Sequence, residues 1–139
     1  MKSAVDSSVI IAALNPDDPD HESCAALFKA GNRYAYSHAL SETFSTLTGG
    51  RLGFRVPPGQ AAEIIRDHLK TRLNLLSLDE NDLITAYGEA ESRGIRGGAI
   101  YDYLHLFAAR KAGVKVLHTL NQSDFLAFHR PGDPAIRLP

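Results

Sequence analysis

Four carboxylates stand out from the sixteen acidic residues because of what surrounds them. Asp6 directly follows an apolar stretch in Ala4-Val5-Asp6-Ser7-Ser8-Val9-Ile10, and Asp102 lies in Ile100-Tyr101-Asp102-Tyr103-Leu104-His105-Leu106. Asp124 closes the run Leu117-His118-Thr119-Leu120-Asn121-Gln122-Ser123-Asp124, and Glu42 sits beside His38, Ser45 and Thr46. If such groups gather at one place, their chemistry is that of a hard divalent cation site, because oxygen donors suit magnesium or manganese. Thiolates or several histidines would point to zinc instead. A cation so held lowers the pKa of a bound water and makes hydroxide available near neutral pH.

Each carboxylate also has a plain structural reading. Asp6 precedes a helical pattern and is a natural N-cap, a role compatible with ligation. Asp102 is apolar-flanked on nearly every side, so its charge must be offset by a cation, by Arg93, Arg96 or Arg110, or by protonation. His105, one helical turn on, shares its face and is by itself more typical of a packed histidine. Asp124 fits a cap or Asx-turn as well as a ligand. Glu42 alone reads as a solvated residue opposite Leu40, Phe44 and Leu47. The other acids look structural: Asp17, Asp18 and Asp20 mark a turn, Asp79, Glu80 and Asp82 a helix start, and Asp133 a loop.

The elements that must position these groups follow from periodicity and turn chemistry. Ser3 to Val5, Arg33 to Tyr36, Asn74 to Leu78, Val114 to Thr119 and Ala135 to Leu138 read as short strands. Between them, helical patterns cover Val9 to Leu14, Asp20 to Lys29, a segment capped by Ser37 or Ser41 and ended by Gly49-Gly50, Pro57 to Leu69, Asp79 to Glu91, and Ala99 to Ala112. Short apolar strands alternating with helices predict an α/β fold, a parallel sheet of about four to five strands covered on both faces. Ligands of such sheets bind beyond the carboxyl ends of the strands, where Asp6 and the Thr119-to-Asp124 segment fall.

Bulk properties narrow the class. The chain of 139 residues suits a single domain spanning 1–139, and its 44% hydrophobic and 22% charged content is that of a globular protein. A net charge of −1 gives no global attraction to nucleic acid, so phosphate contacts would come from local groups. Candidates are Arg93 and Arg96 in the Gly-rich stretch before Asp102, and Arg51 and Arg55 around Leu52-Gly53-Phe54. Tyr34, Tyr36, Tyr101 and Tyr103 are suited to base stacking, but aromatics in apolar elements are more often core, and none is assigned. The lone Cys24 excludes an internal disulfide. No apolar run is long enough for a membrane span, and no signal-peptide pattern fits, so cytoplasm is expected.

Taken together, Val5-Asp6-Ser7-Ser8-Val9-Ile10-Ile11, Ser41-Glu42, Ile100-Tyr101-Asp102-Tyr103-Leu104-His105 and Leu117-to-Phe125 resemble the PIN-domain family, and within it the VapC toxins of type II toxin–antitoxin pairs. The order and spacing of the four segments carry the resemblance over nearly the whole chain. It implies a three-layer α/β/α sandwich and a ribonuclease in which Asp6, Glu42, Asp102 and an acid of the last segment bind Mg2+ or Mn2+. Products would bear 5′-phosphate and 3′-hydroxyl ends. Ser8 and Thr119 match small polar positions that support the cluster. Many relatives carry the last acid two residues after the threonine, where this chain has Asn121; others resemble it in placing the acid before the phenylalanine, here Asp124. The resemblance further implies an RNA substrate, a homodimer and a small VapB-like antitoxin. The rival readings are a PIN-like module that binds RNA or protein without catalysis and, more distantly, a receiver-type domain. A haloacid-dehalogenase-like phosphatase fails because Ser8 stands where its second Asp is needed.

Overall fold

Residues 2–139 are described by a computed structural model. Five strands, β1 (Ser3–Val5), β2 (Arg33–Tyr36), β3 (Leu73–Leu76), β4 (Val116–His118) and β5 (Ala135–Arg137), form one sheet in the order β3-β2-β1-β4-β5. Every pairing is parallel. The alternation of short apolar runs with helices thus produces the sandwich expected of it. Strand side chains alternate between faces, so neighbouring residues of one strand enter different cores.

Ala4, Leu117 and Ile136 face one core with Ala86, Tyr103, Leu106, Phe107 and Phe125. These come from α5 (Glu80–Arg93), α6 (Ala99–Lys111) and α7 (Gln122–Leu126). Val5, Ala35 and Leu73 face the other core with Val9, Ile10, Cys24, Ala39 and Leu69. That side is built by α1 (Ser7–Leu14), α2 (His21–Lys29), α3 (His38–Gly49) and α4 (Pro58–Ile64). Beyond Ile64 the helix widens into a π turn over Ile65–Leu69, closed by a bond from Lys70 N–H to the Ile65 carbonyl. Among the described residues no helix is long and apolar enough to cross a membrane.

Two local differences from the sequence reading bear on the site. Glu42 was expected opposite an apolar stripe of Leu40, Phe44 and Leu47. Instead α3 buries Ala39, Thr43, Thr46 and Leu47, and Phe44 is 37% exposed. Burial of Thr43 costs little because its hydroxyl donates to the Ala39 carbonyl at 2.8 Å. The helix is therefore turned so that Glu42 borders the interior. The second difference is α7, a one-turn helix where a cap or Asx-turn was expected; it seats Phe125 in the core and leaves Asp124 exposed.

Candidate active site

The strand order reverses direction at β1, whose neighbours are β2 on one side and β4 on the other. At the carboxyl ends of such adjoining strands the connections diverge and leave a crevice. Asp6 follows β1 there and Thr119 follows β4, with Asp6 N–H donating to the His118 carbonyl at 3.3 Å. Asp6 is the N-cap of α1, its Oδ1 accepting from Val9 N–H. The cap reading and the cleft position therefore coincide in one residue. Ser8 Oγ also donates to Oδ1, and Thr119 Oγ1 donates to Oδ2 at 2.6 Å. Both hydroxyls are themselves fixed, since Ser8 Oγ accepts from Leu120 N–H at 3.0 Å and Thr119 Oγ1 from Asn121 N–H at 3.0 Å. The result is a carboxylate buried to 3% exposure with each oxygen oriented. Burial pushes its pKa up, and the two hydroxyls work against that push.

Glu42 from α3 and Asp102 from the first turn of α6 line the same cleft as Asp6, together with Ser8, Arg51 and Asn121. Asp102 also borders an adjoining recess lined by Asp124 and Arg93. Burial, reinforced by the charges of Asp6, Asp124 and Glu42 and opposed by His105, raises the Asp102 carboxyl to about 6. Like-charged carboxylates in a poorly solvated cleft favour either a proton or a bound cation. No three His, Cys, Asp or Glu side chains among the described residues already converge as a ready cage. The donor set nevertheless suits a hard divalent ion, being all oxygen, partly desolvated and in excess of nearby positive charge.

The arginines do not supply that charge. Arg93 and Arg110, two of the three arginines that the sequence offers to Asp102, both turn to Asp133, whose side chain is 1% exposed. The glycines after it predict that Arg93 lies in a loop, free to contact phosphate. Instead it ends α5, and its guanidinium is committed to Asp133 and to the Phe128 carbonyl. Arg96 is exposed in the following loop and Arg51 lines the cleft. The Arg55 side chain lies across Gly50, where a Cβ would come within 2.7 Å of its Nε. Gly50 also has φ +82°, so two constraints favour glycine at that turn. Among the described residues, no Lys or Arg pairs with Asp6, Glu42, Asp102 or Asp124.

His105, which its sequence alone marks as a packed histidine, takes a specific partner. It is 3% exposed, and its Nε2 meets Glu42 Oε1 at 2.6 Å across 63 residues of chain. A carboxylate only accepts, so Nε2–H is the donor, and Nδ1 is left buried without a partner among the described residues. The three-residue spacing from Asp102 was the available signal, since it puts both side chains on one helix face.

The sequence matches the PIN-domain family profile over residues 4–129. The chain belongs to the PIN-domain family. Ribonuclease VapC27 of Mycobacterium tuberculosis is 33% identical to this PIN domain over 106 residues, spanning 76% of this chain and 75% of that one. Ribonuclease VapC40 of the same species is 30% identical over 118 residues, spanning 82% and 83% respectively. The crystal structure of Mycobacterium tuberculosis VapC20, described as a sarcin-ricin loop cleaving toxin, superposes with a TM-score of 0.71 at 20% identity. That match covers 96% of this chain and 100% of the other. VapBC2 from Rickettsia felis, bound to a DNA fragment from its promoter, superposes at 0.68 with 18% identity, over 100% and 99%. These two likenesses establish the PIN fold from coordinates, independently of the sequence relatives.

Proposed function

We propose that this PIN domain is a metal-dependent endoribonuclease, the toxin of a toxin–antitoxin pair, working in the cytoplasm as a homodimer restrained by a VapB-like antitoxin. The observation that carries the reading is a contrast between a structural acid and the acids of the cleft. Asp133 is neutralised by two arginines, whereas Asp102 is held among Asp6, Asp124 and Glu42 with no lysine or arginine paired to it among the described residues. A fold that pairs its structural acid with two arginines and, among the described residues, gives its cleft acids no lysine or arginine has a place for an external cation. The VapC ribonucleases at 30–33% identity support the same activity.

In this reading Asp6 and Asp102 hold Mg2+ or Mn2+, with Glu42 and Asp124 completing the acidic set. The bound ion supplies Lewis-acid charge that eases deprotonation of water and stabilises the leaving oxygen. Ser8 and Thr119 hold Asp6 in register, and Asn121 flanks them at the start of α7. Glu42, oriented by His105, is placed to align the attacking water. Arg51 at the cleft, with Arg55 and Arg96 further out, contacts the phosphate backbone.

The test is cleavage of a mixed RNA by the purified chain with magnesium, with manganese, and with chelator. Cleavage is expected only with metal. Stability gives a second readout. The raised Asp102 pKa means the folded metal-free protein holds its extra proton below about pH 6. That contribution is full below the unfolded value and is lost as pH rises through about 6. Metal added at pH 7.5 should therefore raise the melting temperature, and the gain should shrink at pH 5. A folded chain inert toward RNA with every metal, and with no thermal response to either, would leave the non-catalytic binding module as the better reading.

His105 provides a finer check. His105→Leu removes the donor to Glu42 and should slow cleavage by about 10–100-fold, the usual cost of losing a group that orients a ligand. His105→Gln keeps an N–H donor and should recover part of the loss. In a Glu42→Gln background, His105→Leu should add little. Equal losses in both backgrounds, tracking a lower melting temperature, would mean that His105 only packs.

A further inference from the structure

The exposed rings beside the cleft are not used by the acidic chemistry. Tyr101 immediately precedes Asp102 in the first turn of α6 and is 56% exposed, unlike the fully buried Tyr103 two residues later. Its ring is not loose. It stacks on His38 with 6.2 Å between centroids and 17° between planes. His38 begins α3 and lines the cleft with Asp6, Glu42, Asp102 and Arg51. His38 is in turn braced by Tyr36 at 6.1 Å, and Tyr36 sits edge-on to the buried His105 at 5.5 Å. A row of rings thus runs from the core, past the cleft wall, to solvent.

An aromatic side chain left half in water is costly in lost burial, and this one is held in orientation by a second ring. Preordering an exposed flat face next to a row of carboxylates fits one kind of occupant better than others. A nucleobase offers a π face to stack on, and its attached phosphate belongs in the cleft. Stacking tolerates any base, which suits a nearly neutral protein with few free cations near its cleft.

We propose that Tyr101, backed by His38, is a stacking platform for a base of single-stranded RNA adjoining the phosphate held in the cleft. The proposal rests on the ribonuclease reading for the identity of the ligand, but its test does not need turnover. The probe is a fluorescent single-stranded RNA octamer of mixed sequence, read by anisotropy with magnesium in an Asp102→Asn background, with a series of octamers each carrying one abasic nucleotide. Tyr101→Ala should bind the intact octamer about tenfold more weakly, and Tyr101→Phe within about twofold of the parent. At one abasic position the difference between tyrosine and alanine should vanish, because no base remains to stack.

The platform is overturned if Tyr101→Ala binds as the parent does, or if phenylalanine fails as badly as alanine. It is also overturned if no abasic position removes the difference, or if the substitution changes only the sedimentation of the protein and marks a protein contact. The two readings separate cleanly. RNA cleavage by the parent with unaltered octamer binding by Tyr101→Ala removes the platform alone. Tyrosine-dependent, base-dependent binding by a chain that never cleaves keeps the platform and removes the nuclease.

Discussion

Asp102→Asn is expected to reduce metal-dependent RNA cleavage by about a thousandfold while making the metal-free protein more stable. The first effect follows from ligand charge. An amide oxygen is a neutral donor, and weakening a cation that offsets several kcal/mol of developing charge costs roughly a factor of ten for each 1.4 kcal/mol lost. The second follows from what Asp102 endures without metal. Burial and the charge of Asp6 push its carboxyl to about 6, with Asp124 and Glu42 adding to the push. At pH 7.5 the parent must keep that carboxylate ionised in the cleft, and asparagine need not. Asp102 is only half-buried, so the gain is discounted to about 1 kcal/mol, or about 3 °C in melting temperature.

The sign can be checked by pH. The parent regains its proton as pH falls through about 6, so the advantage of asparagine should shrink below that pH and vanish only below the ordinary aspartate value of 3.8. A variant that loses cleavage and also melts lower in chelator would show that Asp102 is a structural residue. Opposite movements of activity and metal-free stability are the signature of a site held under electrostatic strain.

Asp133→Ala should be the most damaging single change away from the cleft, lowering stability by about 3–5 kcal/mol. Asp133 accepts from Arg93, from Arg110 Nη1 at 2.9 Å and from Arg130 N–H at 2.9 Å. Arg110 also reaches Glu89 Oε1 at 3.0 Å and the Tyr103 hydroxyl at 3.2 Å, and Tyr103 donates to Glu89 at 2.9 Å. Arg93 lies over the Tyr103 ring, 5.0 Å from its centroid. This network joins α5, α6 and the loop before β5. Removing its central carboxylate leaves the largely buried Arg93 charge and the Arg130 N–H without their partner, and that penalty exceeds the loss of the contacts themselves.

The melting temperature should drop by roughly 10 °C or more in urea-free buffer. Cleavage per folded molecule at low temperature should change little. Burial alone would raise the Asp133 carboxyl, but bonds from Arg93, Arg130 and Arg110 bring it below its ordinary value. Its contribution is therefore present above the unfolded carboxylate value and is lost as pH falls through the lower folded one. Calorimetry from pH 7 to 3 should find the gap between parent and variant steady until about pH 4 and closing below it. A variant within 1 kcal/mol of the parent would mean that the arginines find water or other partners at no cost.

Much of this architecture is local and so was written in the sequence. Short apolar runs between capped helical segments predict a parallel sheet with two covers, because the central runs, β1 and β4, are too apolar to leave either face in water. The candidate acids were legible for the same reason. A carboxylate at the end of β1, or inside a segment as apolar as α6, contradicts its surroundings and demands an explanation. Asp6 needed no more than its neighbours to be singled out as both cap and candidate.

Only the tertiary structure decided which charges meet. Arg93 and Arg110 were as available to Asp102 as to Asp133 in the sequence; chain packing sends both to Asp133 and leaves Asp102 without either. Glu42 read as a solvated residue because the orientation of α3 depends on Thr43 satisfying its hydroxyl on its own helix, which lets a polar residue face inward. That turn brings Glu42 to His105 over 63 residues of separation, a pairing with no local trace. Periodicity records which side of an element avoids water, whereas the partner a buried polar group finds is a property of the whole packing arrangement.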